Sequence, residues 1–269
     1  MPWIAYSWLA VNCNVSEHSG MERRGRCIGQ MVVMFDLLQY AFFQNAFLAG
    51  TLVAIVAAIV GYFLVVRGLT FAGHALSHIG FAGAAGAVLL GIDPVFGLLI
   101  FTISAGMGMG ILGKELRERD ITIGIIMTLA LGLGILFLSL YHGYAEQAYS
   151  ILFGTILGIS RTDVLITALF GMLTLGTLLV VYRPLLFSSF DPEVAQARGV
   201  PVRLLGVIFP ILVAMTVSVS AQVVGVLLIF TLLVGPAATA SRLVHRPLWT
   251  IGLAISLGLL YTWLGILTV

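Results

Sequence analysis

Phe71-Ala-Gly-His-Ala-Leu-Ser-His-Ile-Gly-Phe-Ala-Gly-Ala-Ala-Gly86 sets two histidines, His74 and His78, inside an otherwise apolar run. In a helix, positions i and i+4 share a face, so both imidazoles project to one side about a turn apart. The surrounding Gly73, Ala75, Gly80, Gly83 and Gly86 leave room for a second helix to approach closely. Ionisable groups at membrane depth are costly, and they mark a pathway or a binding site by default. Two neutral imidazoles at this spacing can share one metal ion. The alternative is that each merely hydrogen-bonds a carbonyl on a neighbouring helix. Two in register favour the ligand.

Working outward, the same apolar texture fills the chain. Of 269 residues, 60% are hydrophobic and 9% charged, whereas soluble domains carry about 25% charged residues. This is the composition of an integral membrane protein. The formal net charge of +2 is spread thinly and gives no nucleic-acid signature. Cys13 and Cys27, the two cysteines, lie outside any zinc-finger or CxxC spacing.

A membrane span needs about 20 apolar residues. The segments Ala46–Val66, Phe71–Leu90, Val95–Leu112, Ile121–Leu140, Val164–Val181, Leu204–Val219, Val223–Ala240 and Leu248–Val269 meet that length or approach it. The fold class expected is all-α, a polytopic bundle of about eight transmembrane helices. A closed barrel is excluded by the segment lengths and the missing polar alternation. Arg67, then Lys114, Arg117 and Arg119, then Arg183, Arg198 and Arg203, then Arg242 and Arg246 occupy every second connection. Those connections are therefore cytoplasmic.

Residues 1–33 do not share this pattern: a polar patch, Glu17–Arg26, precedes Met31 and Met34. Both ends of the bundle would face outward, which leaves Arg23, Arg24 and Arg26 on the wrong side. The expectation is a disordered leader or mis-assigned start over 1–33, with the transmembrane domain spanning 34–269. The long outer connection Tyr141–Asp163 holds Ile151–Ile159, too short to span, read as an interfacial or re-entrant helix. At its start, His142 and Glu146 stand i, i+4, either a weak outer metal or gate site or an ordinary loop pair.

Three further motifs bear on chemistry. Gly108-Met-Gly-Ile-Leu-Gly-Lys114 matches the outline of a phosphate loop, but such a loop needs Ser or Thr after the lysine and a buried strand before it. Glu115 follows here and a membrane helix precedes, so the motif is rejected. In Phe187–Pro201, Asp191 suits an N-cap, Pro192 the first helical position and Glu193 the positive end of the dipole. Gly199 and Pro201 then stop the helix. A helix this short and polar has too little apolar surface to stand alone, so it should dock against something. In Val223–Ala240, Pro236 beside Gly235 cannot donate to the Leu232 carbonyl, and the helix is expected to bend or open there. Plain packing of small residues is the competing account. No catalytic triad, no Cys-His pair and no H-E-x-x-H signature recurs, which argues against an intramembrane enzyme.

These stretches together resemble the membrane permease of the metal-ion (zinc/manganese) ABC importers, from about Phe35 to the C-terminus. The resemblance rests on Phe71–His78, Asp120-Ile-Thr-Ile-Gly124, Leu152-Phe-Gly-Thr-Ile-Leu157, Ala195–Val200 and Val224–Ala240. It implies a permease homodimer in a bacterial plasma or inner membrane, two cytoplasmic ATPase subunits and an extracytoplasmic metal-binding protein. ATP hydrolysis would belong to the partner subunit, and no cofactor would be held permanently. Asp191, Glu193, Ala195, Ala197, Arg198 and Gly199 would form the coupling helix to the ATPase. His74 and His78 would be the intramembrane metal position, and Gly235 and Pro236 a bend near the pathway. The transported ion expected is zinc, with manganese or iron as the alternative. A stand-alone secondary carrier is the other class of reading. Three departures stand out: His74 replaces a common Asp, Thr155 stands where many relatives have Asp, and relatives usually continue past the position of Val269. The last reads as a truncated C-terminus.

Overall fold

The computed structural model describes residues 41–112, 116–141, 154, 158–244 and 246–267. Among them are nine helices and no strand: α1 (Ala41–Val66), α2 (Thr70–Leu89), α3 (Pro94–Leu112), α4 (Leu116–Leu140), α5 (Arg161–Phe190), α6 (Pro192–Ala197), α7 (Val202–Val224), α8 (Val226–Leu243) and α9 (Pro247–Leu267). The expected leader, Lys114, the His142/Glu146 pair and Thr155 lie outside the described residues.

Seven of these helices, α1, α3, α4, α5, α7, α8 and α9, are long and apolar enough to cross a membrane. The remaining expected span, Phe71–Leu90, is helical as α2, but Gly, Ala, Ser and His dilute its apolar character and it is not among the seven. Its 20 residues still reach about 30 Å, the thickness of the hydrocarbon layer. Its neighbours resolve the conflict. α2 packs on α3, α4, α7 and α8, and Ala72 through Ala87 are buried apart from the two histidines. A helix shielded by other helices needs little lipid-facing apolar surface.

Glycines set how closely α2 can be wrapped. A Cβ added at Gly83 would collide with the Gly97 carbonyl on α3, and one at Gly97 with the Gly83 carbonyl. Backbone therefore meets backbone at this crossing, the kind of contact that holds helices together where lipid offers no hydrophobic drive. A buried hydroxyl pair, Thr102 with Ser218, fastens α3 to α7 nearby.

The helix ends follow local chemistry. α1 stops at Gly68, with φ +64°, and the Leu69 amide returns to the Leu64 carbonyl at 2.9 Å. That is the glycine-terminated wrap that consumes otherwise orphaned carbonyls. α2 ends the same way at Gly91, the Ile92 amide reaching the Ala87 carbonyl at 2.9 Å. α5 opens on a capping box: the Ser160 hydroxyl accepts from the Asp163 amide while the Asp163 carboxylate accepts from the Ser160 amide.

Two boundaries depart from the sequence expectation. α5 runs to Phe190 rather than stopping at Val181, carrying Pro184 inside it. Its 30 residues give about 45 Å of helix, more than a bilayer's apolar core. Ser220–Gln222, left between the expected spans Leu204–Val219 and Val223–Ala240, instead lie in the last turns of α7. The break falls at Gly225, whose φ 89° and ψ 153° end α7 and start α8 within one residue. That backbone region is essentially restricted to glycine.

Candidate metal site

His74 and His78 sit on α2 as the spacing requires, their rings 4.6 Å apart between centroids and nearly perpendicular at 83°. Both side chains are partly buried. The two rings thus meet edge to face on one side of α2. Phe230 of α8 closes one side, its ring 4.8 Å from that of His74. Gly73, next to His74, lies against the side-chain ends of Leu64 of α1 and Leu233 of α8, which a side chain there would have to displace.

The decisive detail is the His74 Nδ1 atom, which is buried and has no hydrogen-bond partner. A buried polar nitrogen without a partner costs stability unless something else satisfies it. The reading in which each histidine hydrogen-bonds a neighbouring carbonyl therefore does not describe His74. Among the described residues no group of three His, Cys, Asp or Glu comes together. A two-imidazole site is incomplete, so an ion there would keep open positions for water or other donors.

Gln222 was not singled out by the sequence. Its Oε1 atom is likewise buried and unpartnered, near the outer end of α7. The adjacent Ala221 shares a buried cluster with Phe81 and Ala84 of α2 and Val226 of α8. The available signal was its being the sole amide side chain between Val202 and Val224.

The other expected residues lie on separate elements. Asp191 caps α6, its Oδ1 accepting from the Val194 amide at 3.0 Å. Pro192 opens the helix, and Glu193, Ala197, Arg198 and Gly199 are exposed. Ala195 is fully buried and is the anchor, α6 resting on α5 and α7. Gly199, with φ +81°, ends it. A short helix thus projects one anchored face and a broad free one, Val194 included. Gly235 and Pro236 lie within α8, which stays helical across both. A Cβ at Gly61 of α1 would collide with the Leu233 carbonyl just before them. α1 therefore covers the backbone of α8 one turn above Pro236.

The outer loop reaches the break between α7 and α8. Gly154, with φ +77°, lies so close that a Cβ there would meet the Gly225 amide and the Val223 and Val224 backbone.

The ABC 3 transport family matches the chain over residues 39–269. The manganese transport system membrane protein MntC of Halalkalibacterium halodurans is 34% identical over 221 residues, covering 81% of this chain and 76% of that protein. The manganese import system permease protein ScaB of Streptococcus parasanguinis is 34% identical over 232 residues, covering 86% of this chain and 82% of that protein. Among solved structures, PsaBC from Streptococcus pneumoniae in complex with Fab contains a chain of similar fold. Its TM-score is 0.75 with 32% identity, over 85% of this chain and 83% of that one.

Proposed function

The chain belongs to the ABC 3 transport family, as the multi-pass cell-membrane permease of a metal-ion importer, and from that footing we propose that its cargo is manganese. The expectation of zinc rested on imidazole being a good zinc ligand. The relatives reported above carry manganese in their names, and that supports the alternative ion. Manganese favours oxygen donors, so two imidazoles alone would hold it weakly. Water and other neutral oxygen donors would have to complete such a site. Weak, incomplete coordination suits an ion that must leave again.

The observation that carries this reading is the His74–His78 pair with a buried nitrogen left open. Cytoplasmic ATPase subunits would drive transport and hydrolyse the ATP, because the Gly108–Lys114 segment lacks the residues a nucleotide site requires. An extracytoplasmic metal-binding protein would deliver the ion, and two permease copies would form the pathway. The Asp191–Gly199 segment would seat in the ATPase.

The test is radiotracer uptake of manganese and zinc into proteoliposomes holding the permease and its ATPase, with loaded binding protein outside. His78→Ala should abolish manganese uptake and His74→Ala should reduce it severely. Uptake by both alanine variants at the unmodified rate would place the ion elsewhere. Faster carriage of zinc than manganese by the unmodified protein would overturn the choice of cargo.

A further inference from the structure

A histidine that holds a metal ion is normally kept in line by a hydrogen bond from its other ring nitrogen to a carbonyl, a carboxylate or water. His74 has no such tie at its buried Nδ1 atom. Two rings stand against it instead, His78 at 4.6 Å and Phe230 at 4.8 Å between centroids. Phe230 meets the imidazole at 65°, within the edge-to-face geometry that aromatic pairs prefer.

Phe230 is itself well placed to hold another side chain still. Ile229 before it and Leu233 three residues on are completely buried, so this turn of α8 is set in the core. Leu233 also reaches the α2 backbone, its Cδ2 atom 3.3 Å from where a Cβ would stand at Gly73. α8 therefore touches α2 at two successive residues, Leu233 at Gly73 and Phe230 at His74. The Phe230 ring is partly buried and carries no donor or acceptor, so it acts by packing alone. An imidazole between a second imidazole and a phenyl ring has little freedom to change rotamer.

We propose that Phe230 is a positioning residue for the metal ion, its ring holding the His74 imidazole in the rotamer that lets His74 and His78 ligate one ion together. This rests on the reading of the histidine pair as the ion site. Phe230 acts only through His74 and supplies no ligand. Among the described residues no third His, Cys, Asp or Glu joins a metal-holding group, so losing one imidazole is felt in full.

The test uses the purified full-length permease in nanodiscs, titrated with manganese(II) alone. Electron spin echo envelope modulation counts the imidazole nitrogens on the bound ion, and the titration gives its affinity. The unmodified protein should show two nitrogens. Phe230→Ala should show one, with affinity reduced about tenfold, the lower end of what loss of an orienting partner costs. Phe230→Tyr keeps the ring and should keep both nitrogens. In a His74→Ala background, Phe230→Ala should change affinity by less than about twofold, because the side chain it acts through is already gone. The same tenfold loss in that background would reveal a general structural role and overturn the proposal. Two nitrogens retained in Phe230→Ala would overturn it while leaving the ion site in place. No nitrogen on the ion in the unmodified protein would remove the ion site itself, and the proposal with it.

Discussion

His74 and His78 illustrate what one residue type does at a fixed spacing. The i, i+4 interval was readable from sequence, and the helix delivered the facing rings it implies. The Phe230 ring against His74 was not readable, because it comes from α8, more than 150 residues later in the chain. Nor were the buried, unpartnered hydroxyls of Thr167 and Thr174 on α5, which look like any other helical threonine until their neighbours are in place. Position 74 bears directly on the cargo. An imidazole is a borderline nitrogen donor, and a carboxylate is a hard oxygen donor that shifts a site towards manganese. A carboxylate also adds a negative charge beside the ion, which strengthens binding at low dielectric. His74→Asp is therefore expected to keep transport and raise the ratio of manganese to zinc carried. The measurement is two-isotope uptake in competition, at equal concentrations of both ions. A ratio unchanged from the unmodified protein would mean that His74 does not contact the cargo.

At the scale of elements, the sequence marked α6 well and the ends of its neighbours poorly. Asp191, Pro192 and Gly199 are local signals, each acting on the backbone within a turn, so the short helix appeared where they placed it. The far end of α5 gave no such signal. Pro184 stands inside the helix, which continues to Phe190, and Leu185 and Ser188 just beyond it are buried. Gly225 ends α7 by needing a positive φ, a property that the string Val223–Val226 does not distinguish from a packing glycine. For α6 the anchored and free faces can be separated experimentally. Glu193 is exposed and takes no part in the cap, which Asp191 supplies through the Val194 amide. Glu193→Arg should leave the permease folded and weaken co-purification with the ATPase. Asp191→Ala removes the cap itself, at a cost of about 1 kcal/mol to the helix, and should weaken it through disorder instead. Thermal stability separates the two causes. Co-purification and coupled uptake that survive Glu193→Arg unchanged would remove α6 from the contact.

Taken whole, the molecule is a layered bundle whose order follows burial. α1 and α7 are 67% buried over their apolar windows, and α4 and α5 only 17%. The first pair is the core and the second meets lipid or another subunit. α2 is the hinge of the topology, because it is the helix least able to declare itself a span by hydropathy. Suppose α2 did not cross. Arg67 and Asp93 would then share a side, every later helix would be inverted, and Arg183, Arg198, Arg203, Arg242 and Arg246 would sit opposite Arg67. Basic residues near helix ends are strongly biased to the cytoplasmic face, so only a crossing α2 keeps them together. This yields a prediction about sidedness. In a background with Cys13→Ser and Cys27→Ser, single cysteines at Asp93 and Ser160 should react with a membrane-impermeant maleimide from outside intact cells. Cysteines at Glu193 and Arg246 should react only after the membrane is opened. All four positions are exposed on the protein surface, so failure to label reports sidedness and not burial. A fifth cysteine at Gly68, exposed between α1 and α2, that labelled from the same side as Asp93 would show that α2 turns back before crossing. The histidine pair would then lie on a re-entrant helix, open to one face, and the path of the ion would have to be redrawn.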